Sequence, residues 1–154
     1  LYTGLIEKIK PTDDELAQVL AHEIAHALAK HTAEKMSVAL ATSLGVLAVG
    51  IATDNRNITT GASAAALVAI TLPNSRTAES EADEIGILLA ARAGYNPAAA
   101  VTLWQKMSKE SGGSSFDFLS THPSSGKRIE RLQSLVPKMM PYYEEQKPHP
   151  VYPL

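Results

Sequence analysis

The stretch AHEIAHALAKH, residues 21–31, carries three of the five histidines of this 154-residue chain. Apolar side chains recur through it and just before it at helical spacing: Leu16, Val19, Leu20, Ile24 and Leu28. This period predicts a long amphipathic helix. Thr12 and Glu15 have the spacing of a capping box, which marks where such a helix begins.

The same helix would place two histidines together. His22 and His26 are four residues apart, so they lie about 40° apart on one face of the helix, one turn along. With Glu23 between them they form H-E-x-x-H, a pattern typical of two zinc ligands with a glutamate as general base. From this stretch alone, a solvated helix face that carries these residues by chance stays open as the alternative.

A third ligand is available further along the chain. In TAESEADEIG, residues 77–86, Glu79 and Asp83 are again four apart and share one face of a predicted helix. Glu79 could complete a site of two histidines and one glutamate, and Asp83 could accept the second N–H of a ligand histidine. Glu81 and Glu84 point elsewhere and are expected to be solvated. The alternative is again a polar helix face.

The composition bounds the protein class. A length of 154 residues predicts one compact domain, and a net charge of −2 gives no reason to expect a nucleic acid partner. The absence of cysteine excludes disulfides, thiolate nucleophiles and cysteine-ligated zinc. The pattern along the chain predicts a mainly α fold with little or no β-sheet, in which the first few residues are the only candidate strand.

Residues that cap or break helices mark the ends of the other predicted helices. Gly94 would end the second ligand helix, and Asn96 would cap the next one. A last helix over residues 126–136 would end at Pro137, and residues 137–154 would form an extended proline-rich tail. We therefore expect a domain over residues 1–136.

Between the two ligand motifs lies an apolar insertion, residues 36–72. Its two apolar stretches, residues 36–53 and 64–72, are joined by a polar turn, so we predict a helical hairpin. The first stretch reaches the lower length limit for a membrane span, and the second is too short. A hairpin that packs on the domain or lies at a membrane surface is favoured over a true span.

Three motifs together resemble one known family. LAHEIAHALAKH, AESEADEIGILLAARAGYNP and STHPSSGKRIERL occur in this order and are similar to the zinc endopeptidases that include HtpX, BepA, the Oma-type mitochondrial protease and the type 1 CAAX prenyl protease. The resemblance implies a zincin-like fold and one zinc ion per chain. It implies His22, His26 and Glu79 as ligands, Glu23 as catalytic base, and Asp83 as the aspartate that supports a ligand histidine.

The third motif adds two candidates by the same resemblance. His122 matches a histidine near the metal that stabilises the oxyanion or fills the open position in a latent form, and Arg128 matches an arginine on the substrate side of the cleft. His31 is five residues past His26, about 140° around a continuous helix, and is expected to be a polar residue at the helix end. His149 lies in the tail and is expected either to be irrelevant to the site or to be an adventitious metal contact.

The resemblance also implies a biological setting. We expect an endopeptidase that acts on polypeptide substrates in envelope protein quality control, periplasmic or membrane-associated in a bacterial cell, with BepA-like members as the nearest parallel. In this family an edge strand that binds the substrate precedes a segment like LYTGL. We expect that strand and the helix before it either to be missing or to belong to a part of the protein outside this chain. The alternatives are a latent or non-catalytic zinc-binding, chaperone-like module, and Mn²⁺, Co²⁺ or Ni²⁺ in place of zinc.

Overall fold

The computed structural model describes residues 3, 5–53, 75–110, 122 and 126–147. A short π-helical segment, Leu5–Ile9, precedes five α-helices. They are α1 (Asp13–Leu28), α2 (His31–Thr53), α3 (residues 75–92), α4 (Ala99–Glu110) and α5 (Gly126–Glu144). Within these ranges no residue is in a strand, and residues 3 and 5–9 near the start are helical. The prediction of a mainly α fold is confirmed.

The capping box predicted for α1 is formed. The Thr12 N–H donates to Glu15 Oε2 at 2.9 Å, and the Glu15 N–H donates to Thr12 Oγ1 at 3.3 Å. Glu15 is buried and also accepts hydrogen bonds from the Thr102 hydroxyl and the Lys106 ammonium of α4, at 2.8 and 2.6 Å. The residues that begin α1 therefore also fix it against α4.

The predicted end of α3 and start of α4 are both found. Gly94 has a φ of 85°, which glycine adopts without steric cost, and the Tyr95 N–H turns back to donate to the Ala90 carbonyl at 2.9 Å. Asn96 Oδ1 then accepts from the Ala98 N–H at 2.9 Å at the first turn of the next helix.

The contacts divide the chain into two units: residues 1–25 with 80–154, and residues 26–79. The first unit contains the main hydrophobic core: Leu5, Ile9, Val19, Ile87, Ala91, Ala100, Leu103, Trp104, Met107, Leu132, Leu135 and Met139. Leucine, isoleucine and methionine make up most of this core, and Trp104 is the one aromatic residue among these buried residues, as expected for a chain with 5% aromatic residues.

The end of α5 corrects one prediction. The helix does not stop at Pro137 but continues through Pro141 to Glu144, so residues 137–144 are not an extended tail. A proline inside a helix removes one backbone hydrogen bond and costs about 3 kcal/mol. Here Met139 is buried in the core and Tyr142 packs against it, with Arg92 above the tyrosine ring, and this packing offsets the cost. Residues 148–154 lie outside the described residues.

The first half of the predicted hairpin is the 23-residue helix α2, and residues 64–72 lie outside the described residues. Residues 31–52 are long and apolar enough to cross a membrane, with a mean hydropathy of 1.7 and only 6% of the segment buried. Its large apolar side chains are more than half exposed, among them Met36, Leu40, Leu44, Leu47 and Ile51. The hairpin itself stays a prediction.

Candidate metal centre

Two helices carry the predicted site residues in matching pairs. Helix α1 presents His22 and His26 one turn apart, and α3 presents Glu79 and Asp83 one turn apart. His22, Glu79 and Asp83 are all less than 8% exposed. Buried polar side chains are costly unless they are paired, so these residues require defined partners.

In the first unit, His22 faces the carboxylate of Asp83. Its Nδ1 lies 3.1 Å from Asp83 Oδ1. The same carboxylate oxygen accepts a hydrogen bond from Arg128 at 2.6 Å. A proton on Nδ1, the ring nitrogen nearest the carboxylate, would leave the lone pair of Nε2 available to bind a metal ion.

Arg128 is buried beside His22 and Asp83. It is only 6% exposed, and its Cζ lies 3.6 Å from the centroid of the Trp104 ring. Its expected place on the substrate side of the cleft stays a prediction. The aromatic face and the Asp83 carboxylate together neutralise a buried guanidinium. In this position the arginine contacts both members of the pair, because its Nη2 donates to Asp83 and also lies 3.4 Å from His22 Nε2.

A glycine allows α3 to approach α1 beside His22. A Cβ atom added to Gly86 would lie 3.0 Å from both the Cα and the backbone N of His22. Any side chain at this position would push the two helices apart. Gly86 therefore sets the distance over which Asp83 reaches the imidazole.

His122 contacts two of the other predicted residues within the first unit. Its Nδ1 lies 3.3 Å from His22 Nε2, and its Nε2 lies 3.2 Å from Glu23 Oε1. The His22 and His122 rings meet edge to face, with centroids 5.0 Å apart. Glu23 is about half exposed, at 47% of its side chain, so its carboxylate is open to water.

In the second unit, His26 is held on both ring nitrogens. Its Nε2 lies 3.2 Å from Glu79 Oε1, and its Nδ1 lies 2.8 Å from Nδ1 of His31. On one continuous helix His31 would lie about 140° away from His26, as expected above. Lys30 instead has a φ of 57°, so α1 ends before it and the imidazole of His31 returns toward His26. The sequence gives no signal for this turn, because residues 29–31 (Ala-Lys-His) contain no glycine. His149 lies outside the described residues.

Comparison with known proteins shows the family to which the chain belongs. The model of the family "Peptidase family M48" matches residues 1–136. The mitochondrial metalloendopeptidase OMA1 of Schizosaccharomyces pombe is 39% identical over 142 residues, covering 90% of this chain and 41% of its own length. OMA1 of Arabidopsis thaliana is 40% identical over 134 residues, covering 86% of this chain and 26% of its own.

A bacterial relative is similar over the same region. The β-barrel assembly-enhancing protease of Yersinia pestis is 31% identical over 144 residues, covering 84% of this chain and 29% of its own length. No solved structure matches the chain. The chain thus spans less than half the length of these three relatives. The family match covers all three sequence motifs and confirms the resemblance on which they were grouped: the chain belongs to peptidase family M48.

Proposed function

We propose that this chain is a zinc endopeptidase domain in which His22, His26 and Glu79 hold one zinc ion. The observation that carries the proposal is the pairing, within each unit, of an α1 histidine with an α3 carboxylate. His22 lies 3.1 Å from Asp83, and His26 lies 3.2 Å from Glu79. Two imidazoles and one carboxylate are the donor set of catalytic zinc in peptidases.

The chemistry of each donor fits a divalent ion. His22, His26, Glu79 and His122 each offer one nitrogen or oxygen ligand atom. Zinc bound there would supply a Lewis acid that polarises a peptide carbonyl and acidifies water. The residues of the chain would do the rest: three hold the ion, and others move protons and orient the substrate.

Glu23 is the proposed general base. Its position on α1 between the two histidines, and its half-exposed carboxylate, suit a group that takes a proton from water and returns it to the leaving amine. A purely structural metal site has no use for such a group. The presence of Glu23 therefore favours catalysis over a structural role.

His122 is the proposed gate or charge stabiliser. An imidazole 3.2 Å from Glu23 could donate a hydrogen bond to negative charge that develops beside the base. Its other nitrogen lies 3.3 Å from His22 Nε2, the atom proposed to bind the metal. This second contact favours the alternative of a latent enzyme, in which His122 fills the open coordination position at rest.

The substrates proposed are polypeptides, in protein quality control at a membrane-bounded envelope. The support is the names of two relatives, one a mitochondrial metalloendopeptidase and one a β-barrel assembly-enhancing protease. The exposed apolar side of α2 adds a surface that could rest on a membrane. We propose a bacterial envelope as the compartment.

One experiment tests the site and the activity together. Purified chain and a Glu23→Gln variant are compared for zinc content by elemental analysis and for cleavage of casein. We expect about one zinc ion per chain in both and cleavage by the parent alone. Absence of zinc from the parent would overturn the proposed site. Zinc in both without cleavage, followed by cleavage in a His122→Ala variant, would establish the latent form.

A further inference from the structure

His31 is a buried histidine for which the catalytic proposal has no use. It is 3% exposed, although it begins α2, a helix whose next residues are solvated. Its Nδ1 lies 2.8 Å from Nδ1 of His26, and the two rings meet edge to face with centroids 4.9 Å apart. Burying an imidazole costs free energy unless its nitrogens are hydrogen-bonded, and the contact with His26 supplies such a partner.

The contact constrains the protons of both rings. A distance of 2.8 Å between two imidazole nitrogens requires a hydrogen on one and a lone pair on the other. If His26 binds a metal through Nε2, the nitrogen that lies 3.2 Å from Glu79, its hydrogen must be on Nδ1. His31 Nδ1 must then accept that hydrogen.

A turn between α1 and α2 brings the two histidines into contact. Lys30 adopts a left-handed φ of 57°, which costs a non-glycine residue free energy. The turn is closed by hydrogen bonds from the Lys30 N–H to the Ala27 carbonyl and from the Glu34 N–H to the Lys30 carbonyl, at 3.2 and 3.1 Å. It brings His31 back against His26, whereas a continuous helix would carry it about 140° away.

From this geometry we infer that His31 is a positioning residue for His26, and that it holds the imidazole with Nε2 directed toward the metal. The inference rests on the proposed function, since it assigns His26 as a ligand. It gives the two ligand histidines different supports: a carboxylate, Asp83, for His22 and a neutral imidazole, His31, for His26. Unlike a carboxylate, an imidazole nitrogen can also donate, so in the metal-free protein the hydrogen between the two Nδ1 atoms can be on either ring.

Two substitutions separate the acceptor from the bulk of the side chain. His31→Leu keeps a buried side chain of similar size and removes the acceptor. His31→Asn places an amide oxygen at the same number of bonds from Cα as Nδ1 and so retains it. His149→Leu removes the same side chain from the C-terminal sequence and serves as the control. Zinc affinity is measured by competition with a chromogenic chelator, and ligand geometry by the visible absorption of the Co²⁺-loaded protein.

We expect His31→Leu to bind zinc roughly 10–100-fold more weakly than the parent, the range usual for loss of a group that supports a ligand histidine. Its Co²⁺ spectrum should shift, while His31→Asn and His149→Leu should stay within a few-fold of the parent. Parental affinity and spectrum in His31→Leu would overturn the inference. So would equal losses in His31→Asn and His31→Leu when both keep parental helicity by circular dichroism. A parent that binds no zinc would instead reject the proposed function.

Discussion

At the scale of single residues, the site depends on short contacts that tolerate little change. Asp83 serves two partners with one carboxylate oxygen, at 3.1 Å from His22 and 2.6 Å from Arg128. Arg128 is in turn fixed by the face of Trp104. The orientation of one proposed ligand therefore depends on a buried chain of charge and aromatic contacts, each member of which restricts the next.

The closest approach between backbones gives a prediction for Gly86→Ala. The added Cβ would lie 3.0 Å from backbone atoms of His22, which cannot move without shifting α1. Overpacking of this kind costs about 1–3 kcal/mol, so we expect a lower free energy of unfolding by urea denaturation. Gly45→Ala is the control, because nothing lies within 4 Å of its added Cβ and alanine favours the helix. Equal stability in both variants would contradict the close approach.

The buried carboxylate at the start of α1 gives a prediction for pH. Burial alone would raise the pKa of Glu15, but its hydrogen bonds, foremost the one from Lys106, outweigh burial and hold the pKa below its ordinary value of 4.5. The folded protein thus binds this proton less readily than the unfolded chain, so Glu15 stabilises the fold above about pH 4.5 and loses that effect as the pH falls.

Urea denaturation of Glu15→Gln at pH 7 and at pH 3 measures this contribution. The variant should be less stable than the parent at pH 7, and the difference should shrink at pH 3. Glu84→Gln changes an exposed carboxylate paired with Arg131 and should show little effect at either pH. A constant difference between Glu15→Gln and its parent would mean that the charge of Glu15 does not stabilise the fold.

At the scale of elements, two helices depart from their local sequence signals. Pro137 and Pro141 both disfavour helix, yet α5 continues past them because its later turns still pack on the core. Helix α2 has the opposite character, with strong apolar content and little burial. In α5, packing on the core outweighs the low helix propensity of the prolines. In α2, the apolar side chains form a surface that none of the described residues covers.

Met139→Ala tests whether the last turns of α5 are packed. This side chain follows Pro137 and is 8% exposed. Truncation of a buried methionine costs about 2–5 kcal/mol, and we expect a loss in this range by urea denaturation. Lys138→Ala, at the exposed neighbouring position, should change the stability by no more than about 0.5 kcal/mol. A negligible loss for Met139→Ala would mean that residues 137–144 form a solvated tail after all.

Five large apolar residues of α2 form an exposed stripe. Met36, Leu40, Leu44, Leu47 and Ile51 follow one another at intervals of three or four and span a sector of about 80°. Val49, which is also about half exposed, lies on the opposite side, so the exposed apolar surface is not confined to this stripe. An exposed apolar surface of this kind favours contact with a membrane. We therefore expect the purified chain to sediment with vesicles of phosphatidylethanolamine and phosphatidylglycerol.

Paired charge substitutions test the side of α2 that is used. Leu40→Glu with Leu44→Glu should abolish sedimentation with the vesicles. Ala41→Glu with Ala52→Glu adds the same charge at exposed positions about 100–120° around the helix from the middle of the stripe and should weaken sedimentation less. Equal sedimentation of all three proteins, or none by the parent, would argue against the membrane contact.

At the scale of the whole molecule, the sequence predicts local structure better than it predicts how residues meet. The Thr12–Glu15 box, the Gly94 end and the Asn96 cap are set by neighbours in the chain, and all three were predicted. Two other features depend on contacts between residues distant in the sequence. They are the left-handed turn at Lys30 and the helix beyond Pro137, and in both the packing offsets a locally unfavourable backbone. For the same reason, the motifs could name His22 and Asp83, but not the burial of Arg128 or the contact of His31.

Metal removal links the proposed site to the stability of the whole chain. An ion held by residues of both α1 and α3 binds the folded protein and not the unfolded chain, so it adds RT ln(1 + [L]/Kd) to the free energy of unfolding. This amounts to about 4 kcal/mol at a thousandfold excess over Kd. Chelation should therefore lower the melting temperature of the parent and of Glu23→Gln alike, because the proposed base is not a ligand. His22→Ala should melt lower from the outset and respond little to chelator. A parent whose melting curve is unchanged by chelation and by added zinc would return these histidines to the polar face of an ordinary helix.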